Sequence, residues 1–124
     1  MDIIRDKEFV NQYHFDARNL EWEKENGTPT TQMKVDFQLI EKNRDENRTS
    51  MVTILRFMIV LEYHVISGAM SQSVHLKNCY IEEPSEFSAE DKRILVEPLL
   101  EMLKRMTYDV TEIAFDAPGV NLEF

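Results

Sequence analysis

Cysteine is almost absent. Cys79 is the single copy in 124 residues, so the chain cannot form an internal disulfide and a reducing compartment is the expected setting. Glycine is nearly as scarce, and Gly27, Gly68 and Gly119 lie far apart. Loops that cradle phosphate need their glycines clustered, so nucleotide-binding loops of that kind are excluded. No serine sits in a Gly-x-Ser-x-Gly elbow, which removes the commonest nucleophile signature. Uninterrupted apolar runs are missing as well: the segment Met51–Ile66 is broken by Arg56, Glu62 and His64, whereas a membrane helix needs about 20 mostly apolar residues. The opening residues, Met1 to Glu8, lack the apolar core of a secretory leader. The expected location is the cytoplasm.

Basic residues are outnumbered. Fourteen Lys and Arg stand against 23 Asp and Glu, giving a net charge of −9 and a pI near 4.8. Such a field repels phosphate backbones and anionic lipid, so neither nucleic acid nor a membrane surface is an expected partner. The apolar fraction of 43% is ordinary for a folded domain, and the length suits one domain spanning residues 1–124, able to bury a core without metal or disulfide staples.

Alternation dominates the first two thirds of the chain. Phe9, Tyr13, Phe15 and Ala17 share one parity, which predicts a first long strand over residues 7–22 and a polar loop over 23–29. Met33, Val35, Phe37 and Leu39 alternate with Lys34, Asp36 and Gln38, the pattern of a half-buried second strand. A charged turn follows at Asn43–Asn47. The third strand, residues 51–61, is apolar on both faces: Met51, Leu55, Phe57, Ile59 and Leu61 on one, Val52, Ile54, Met58 and Val60 on the other. A turn near Tyr63 leads to a fourth strand over 65–76, where Gly68 marks a bulge or a backbone passing close by.

Helical spacing then takes over. Ser88 with Asp91 reads as an N-cap, and Leu95, Leu99, Met102, Met106, Val110 and Ile113 recur every three or four residues towards Ala114. Pro98 falls inside this stretch, where a kink or break is expected. Val120, Leu122 and Phe124 alternate with polar neighbours in a tail too apolar to hang free. The predicted class is α+β: a four-stranded antiparallel sheet, a long C-terminal helix and an extended, docked tail.

No constellation carries chemistry. His75 and Cys79 are four apart on an extended segment, about 13 Å from each other. His14, His64 and His75 lack the close pairing of zinc ligands. Glu82, Glu83, Glu86, Glu90 and Asp91 match no calcium loop and suit the approach to a helix N-terminus. No catalytic residue, metal or cofactor is therefore expected, and the chain is read as a non-enzyme.

What stands out is surplus apolar surface. One helix covers one face of a sheet, leaving the second face open. The candidate binding or oligomer surface combines Val52, Ile54, Met58 and Val60 with Leu99, Met102, Met106 and Val110 on the helix. A second copy of the chain is the expected partner and a non-native polypeptide the other.

The order of elements, with Met33–Phe37 as a second strand, Met51–Leu61 as a third, Val65–Leu76 as a fourth and the tail Phe115–Leu122, resembles the preprotein-export chaperone family SecB. The stretches Glu8–Asn19 and Val110–Ile113 resemble more closely a small, functionally uncharacterised bacterial family with a SecB-like fold, and that likeness extends over nearly the whole chain. The resemblance implies a chaperone-like module that holds unfolded segments in apolar grooves without a cofactor. The alternative is a structural or regulatory homo-oligomer with no client.

Overall fold

The computed structural model describes residues 1–124. Its centre is a hairpin of two long strands, β4 (Arg48–Val60) and β5 (His64–Lys77), paired antiparallel from Arg48 opposite Lys77 to Val60 opposite Val65 with no register shift. β-branched side chains fill it, and its period-2 alternation puts Met51, Leu55, Phe57, Ile59, Ile66, Met70, Val74 and Leu76 on one buried face. On the far side of β4 lies β3 (Gln32–Asn43), running from Gln32 opposite Met58 to Asn43 opposite Arg48. β3 outlasts the predicted strand because a bulge at Ile40 turns that side chain outward and lets pairing continue.

The sheet has five strands where four were expected. The predicted strand over 7–22 is β2 (Phe9–Ala17) followed by a short helix α1 (Leu20–Asn26), which also takes up the start of the loop expected over 23–29, and an unpredicted strand β1 (Asp2–Arg5) precedes them. β1 pairs with the end of β5 and β2 with its start, so the five strands occupy four positions across the sheet. Gln72 Nε2 donates to the carbonyl of Asp6, 2.9 Å away, and holds the break between β1 and β2. α1 forms because Asn19 accepts from the N–H of Trp22 at 3.1 Å. Arg18 then binds Glu23 through both carboxylate oxygens, at 2.6 and 3.1 Å, and donates to the carbonyls of Leu61 and Glu62. Gly68 is the close approach anticipated from sequence: a Cβ there would lie 2.0 Å from the carbonyl oxygen of Gln12, beside the β2 bulge.

Helix α2 (Ala89–Phe115) starts at Ser88, whose hydroxyl accepts from the N–H of Asp91 at 3.1 Å. It packs Val96, Leu99 and Leu103 onto Leu55, Phe57, Ile66 and Met70, while Leu95 joins Phe87, Ile81 and Met51 in a second cluster. The tail returns along the helix: Thr111 Oγ1 accepts the N–H of Val120 at 2.8 Å, Leu122 packs on the core, and Phe124 lies under Lys104. The docked tail expected from its alternation is thus present.

Pro98 does not break α2. Proline removes the N–H that would meet the carbonyl four residues back, that of Ile94. Arg5 Nη2 donates to this carbonyl at 2.9 Å, so β1 supplies the bond that the helix lacks. Arg5→Ala should therefore destabilise the domain by about 1.5–3 kcal/mol. In a Pro98→Ala background the helix restores its own bond, and the same change should cost about 1 kcal/mol less. Urea unfolding of the four proteins of this cycle reads the coupling; additive costs would show that Arg5 acts by packing alone.

Candidate functional site

α2 packs over β4 and β5, whereas β3 is met chiefly by the short 3-10 turn at Pro84–Glu86. The inward side chains of β3 are therefore only half covered. Val35 and Phe37 form the floor of an open groove of about 660 Å³, walled by Pro84, Ala89 and Val96 and rimmed by Lys92 and Arg93. β3 is also the last strand of the sheet, so its outer edge is unpaired. The floor is firm: Phe37 packs against Phe87, ring centres 5.7 Å apart, and Val35 leans on the main core. Lys92 and Arg93 are exposed and neither enters an ion pair.

An ion cluster fixes the groove's wall. Glu82 accepts from Tyr80 at 2.6 Å and pairs with Lys42 at 3.2 Å and Arg44 at 2.5 Å, tying the end of β3 to the segment that leads into the 3-10 turn. Glu86 accepts the backbone N–H groups of Glu82 and Glu83, at 2.6 and 2.7 Å. This capping role accounts for the heart of the acidic cluster noted in sequence. Hydrogen bonds from Tyr80, then Lys42 and Arg44, hold the Glu82 carboxyl at about 2, below its ordinary 4.5.

The opposite face of the sheet carries no covering element. Val52, Ile54 and Val60 are half-buried there, Met58 is exposed, and the Arg56–Asp36 ion pair lies among them. A shallow hollow of about 490 Å³ is lined by Val52, Ile54, Arg56, Ala69 and polar neighbours. The helical half of the expected surface lies on the other side of the sheet. Leu99 is wholly buried in the core and is unavailable to any partner, because the stripe's centre faces β4 and β5. Met102 and Met106 pack at the core's margin, and Val110 is half-buried. The eight residues thus form two separate regions and one core position, not one surface.

The three histidines are also dispersed. His64 stacks on Phe15 at 4.7 Å, and no group of three His, Cys, Asp or Glu is placed to hold a metal ion. Burial pushes the Cys79 thiol up, opposite to what an activated nucleophile needs. One array escaped the sequence reading: Ser50 Oγ lies 2.9 Å from His75 Nδ1, and His75 Nε2 lies 3.3 Å from Asp6 Oδ2. These residues come from β4, β5 and the link between β1 and β2, and only the β4–β5 register, with Ser50 opposite His75, brings the first two together. The array is exposed on a flat sheet whose central strands commit their N–H groups to the ladder. It has neither an oxyanion hole nor a substrate-sized cleft, the hollow beside Ser50 measuring about 90 Å³. The groove residues Lys92, Arg93 and Pro84 also went unnoticed, since nothing in their local sequence tells which strand forms an edge.

The depressed Glu82 carboxyl has a defined pH signature. Its folded value lies below the unfolded one, so its contribution is complete above about 4.5 and is lost as pH falls towards about 2. Wild type should exceed Glu82→Gln in stability at pH 6, and the two should converge across that window. A gap independent of pH would refute the ionic role of Glu82.

No helix is long and apolar enough to cross a membrane. Comparison with curated proteins finds no match. Among solved structures, the fold is similar to a crystal structure of a protein of unknown function from Streptococcus agalactiae. That likeness has a TM-score of 0.95 and 56% identity over 100% of this chain and 98% of the other. A far weaker likeness joins it to a Mycobacterium tuberculosis SecB-like chaperone, solved in complex with a ChAD peptide from the HigA1 antitoxin. There the TM-score is 0.44 and the identity 8%, over 98% of this chain and 86% of that one. The family model described as protein of unknown function DUF1149 matches residues 1–124, and the chain belongs to that family.

Proposed function

We propose that the domain is a non-enzymatic, chaperone-like module that binds polypeptide in extended form, with the β3 groove as the receiving site. The observation that carries this reading is the coincidence of an unpaired strand edge with an apolar floor beside it. An extended segment laid along β3 gains backbone hydrogen bonds from the edge, and every second side chain reaches Val35, Phe37 and Val96. The reading agrees with what the sequence resemblance to SecB implies. Binding of this kind needs no cofactor.

Two measurements test it together. The protein at several-fold excess should suppress aggregation of an unfolded test protein, and a labelled peptide of alternating apolar residues should bind in fluorescence anisotropy. Val35→Ser removes floor contact and should weaken peptide binding about five- to tenfold. Absence of both activities in the wild type would refute the proposal.

The open sheet face favours a second reading, a structural or regulatory homo-oligomer. Four strand positions at about 4.8 Å and a strand length of about 40 Å give a face near 800 Å², the usual contribution of one partner to a stable interface. Sedimentation should then show a dimer or larger species, and Ile54→Glu should shift it to monomer with the fold intact by circular dichroism. A wild-type monomer at micromolar concentration would dismiss this reading.

A further inference from the structure

The rim of the groove differs in charge from the rest of the molecule. The chain carries a net charge of −9, yet the groove's lining contains two cations, Lys92 and Arg93, against one carboxylate, Asp36, which is already paired with Arg56. Glu90 and Glu97 lie one turn away from Arg93 on α2, and neither is within ion-pair distance of it. Arg5, Lys7, Lys34, Lys77 and Arg105 also lack an ion pair, but none of them lines the groove over Val35 and Phe37. Lys92 and Arg93 stand over an apolar floor with no internal partner.

From this we infer that the occupant of the groove is an extended segment bearing a carboxylate on the same face as its apolar anchors, two residues away along the strand. The inference rests on the polypeptide-binding reading and specifies the ligand's chemistry. Parity is the central element. Side chains of an extended segment alternate between faces, so those turned towards Val35 and Phe37 share their side with Lys92 and Arg93. A carboxylate one residue out of step points to the opposite face, away from both cations. The tail of this chain does not meet this requirement: Glu123 falls between Leu122 and Phe124, one residue out of step with both, and these apolar residues are engaged against the core and α2. The occupant is therefore another polypeptide.

The global field makes the test discriminating. A protein of net charge −9 attracts basic peptides without specificity, so a preference for acidic ones has to come from a local site. The probes are labelled peptides of the pattern x-Val-x-Phe-x, with Ser and Thr at the intervening positions. The two flanking positions in step with Val and Phe carry Glu, Gln or Lys, and a fourth peptide has Glu moved one residue out of step.

At low salt the in-step Glu peptide should bind about tenfold more tightly than the Lys peptide, and the displaced-Glu peptide should lose most of that gain. The preference should shrink at about 1 M salt, where charges are screened within about 3 Å. It should also collapse in Lys92→Gln/Arg93→Gln and persist in Lys77→Gln. Equal binding of the wild type to all four peptides, or tighter binding of the Lys peptide, overturns the carboxylate inference and leaves polypeptide binding standing. If no peptide of the series binds, both readings fall.

Discussion

One geometric mismatch governs this domain: a helix is about 10 Å across, whereas a sheet four positions wide spans about 19 Å. α2 therefore closes over β4 and β5 and leaves β3 with its inward side chains half covered. The groove at Val35 and Phe37 is the direct result. So is the bare second face, since the chain has no long helix other than α2 to lay upon it. Every candidate for function arises from this shortage of covering elements, not from a reactive group.

The covered half is secured by contacts between distant parts of the chain. Arg5 satisfies the carbonyl that Pro98 leaves free, so the first strand and the middle of α2 are bound through a defect in the helix. Thr111 does similar work at the other end, giving its hydroxyl to the carbonyl of Thr107 and accepting the N–H of Val120. Between the two apolar clusters lie Thr53 and Gln72, cross-strand partners that are almost fully buried. This polar seam divides the core in two. Leaving one hydroxyl and one amide oxygen without a protein partner, it is a costly arrangement in a low-dielectric interior.

Much of the fold was legible because its signals are local and periodic. The alternation through β3, β4 and β5, the Ser88 cap, the tight approach at Gly68 and the apolar tail each needed only a few neighbouring residues. The misreadings have non-local causes. The strand at Asp2–Arg5 was missed because β5 offers one edge to two segments, and the predicted first strand ends early because α1 is held by Arg18, whose other contacts are at Leu61 and Glu62. Pro98 was expected to disrupt the helix because nothing near it in sequence announces Arg5. The candidate surface fared unevenly for the same reason. Val52, Ile54, Met58 and Val60 do share the uncovered face, since parity fixes that. Leu99 lies in the core because the rotation of a wide helical stripe is set by what it packs against.

The sharing of β5 by β1 and β2 also bears on how the chain is born. Residues 2–17 have no strand partner except β5, whose last pairing residue is Lys77. On the ribosome this segment, which includes Phe9, Val10, Tyr13 and Phe15, emerges ahead of β3, β4 and β5 and waits unpaired until β5 has been synthesised. The β3–β4 hairpin can close in the meantime, so the strands made before it join the sheet after it. For these strands synthesis order and assembly order run in opposite directions, and the nascent β1–β2 segment is itself a temporarily exposed apolar polypeptide.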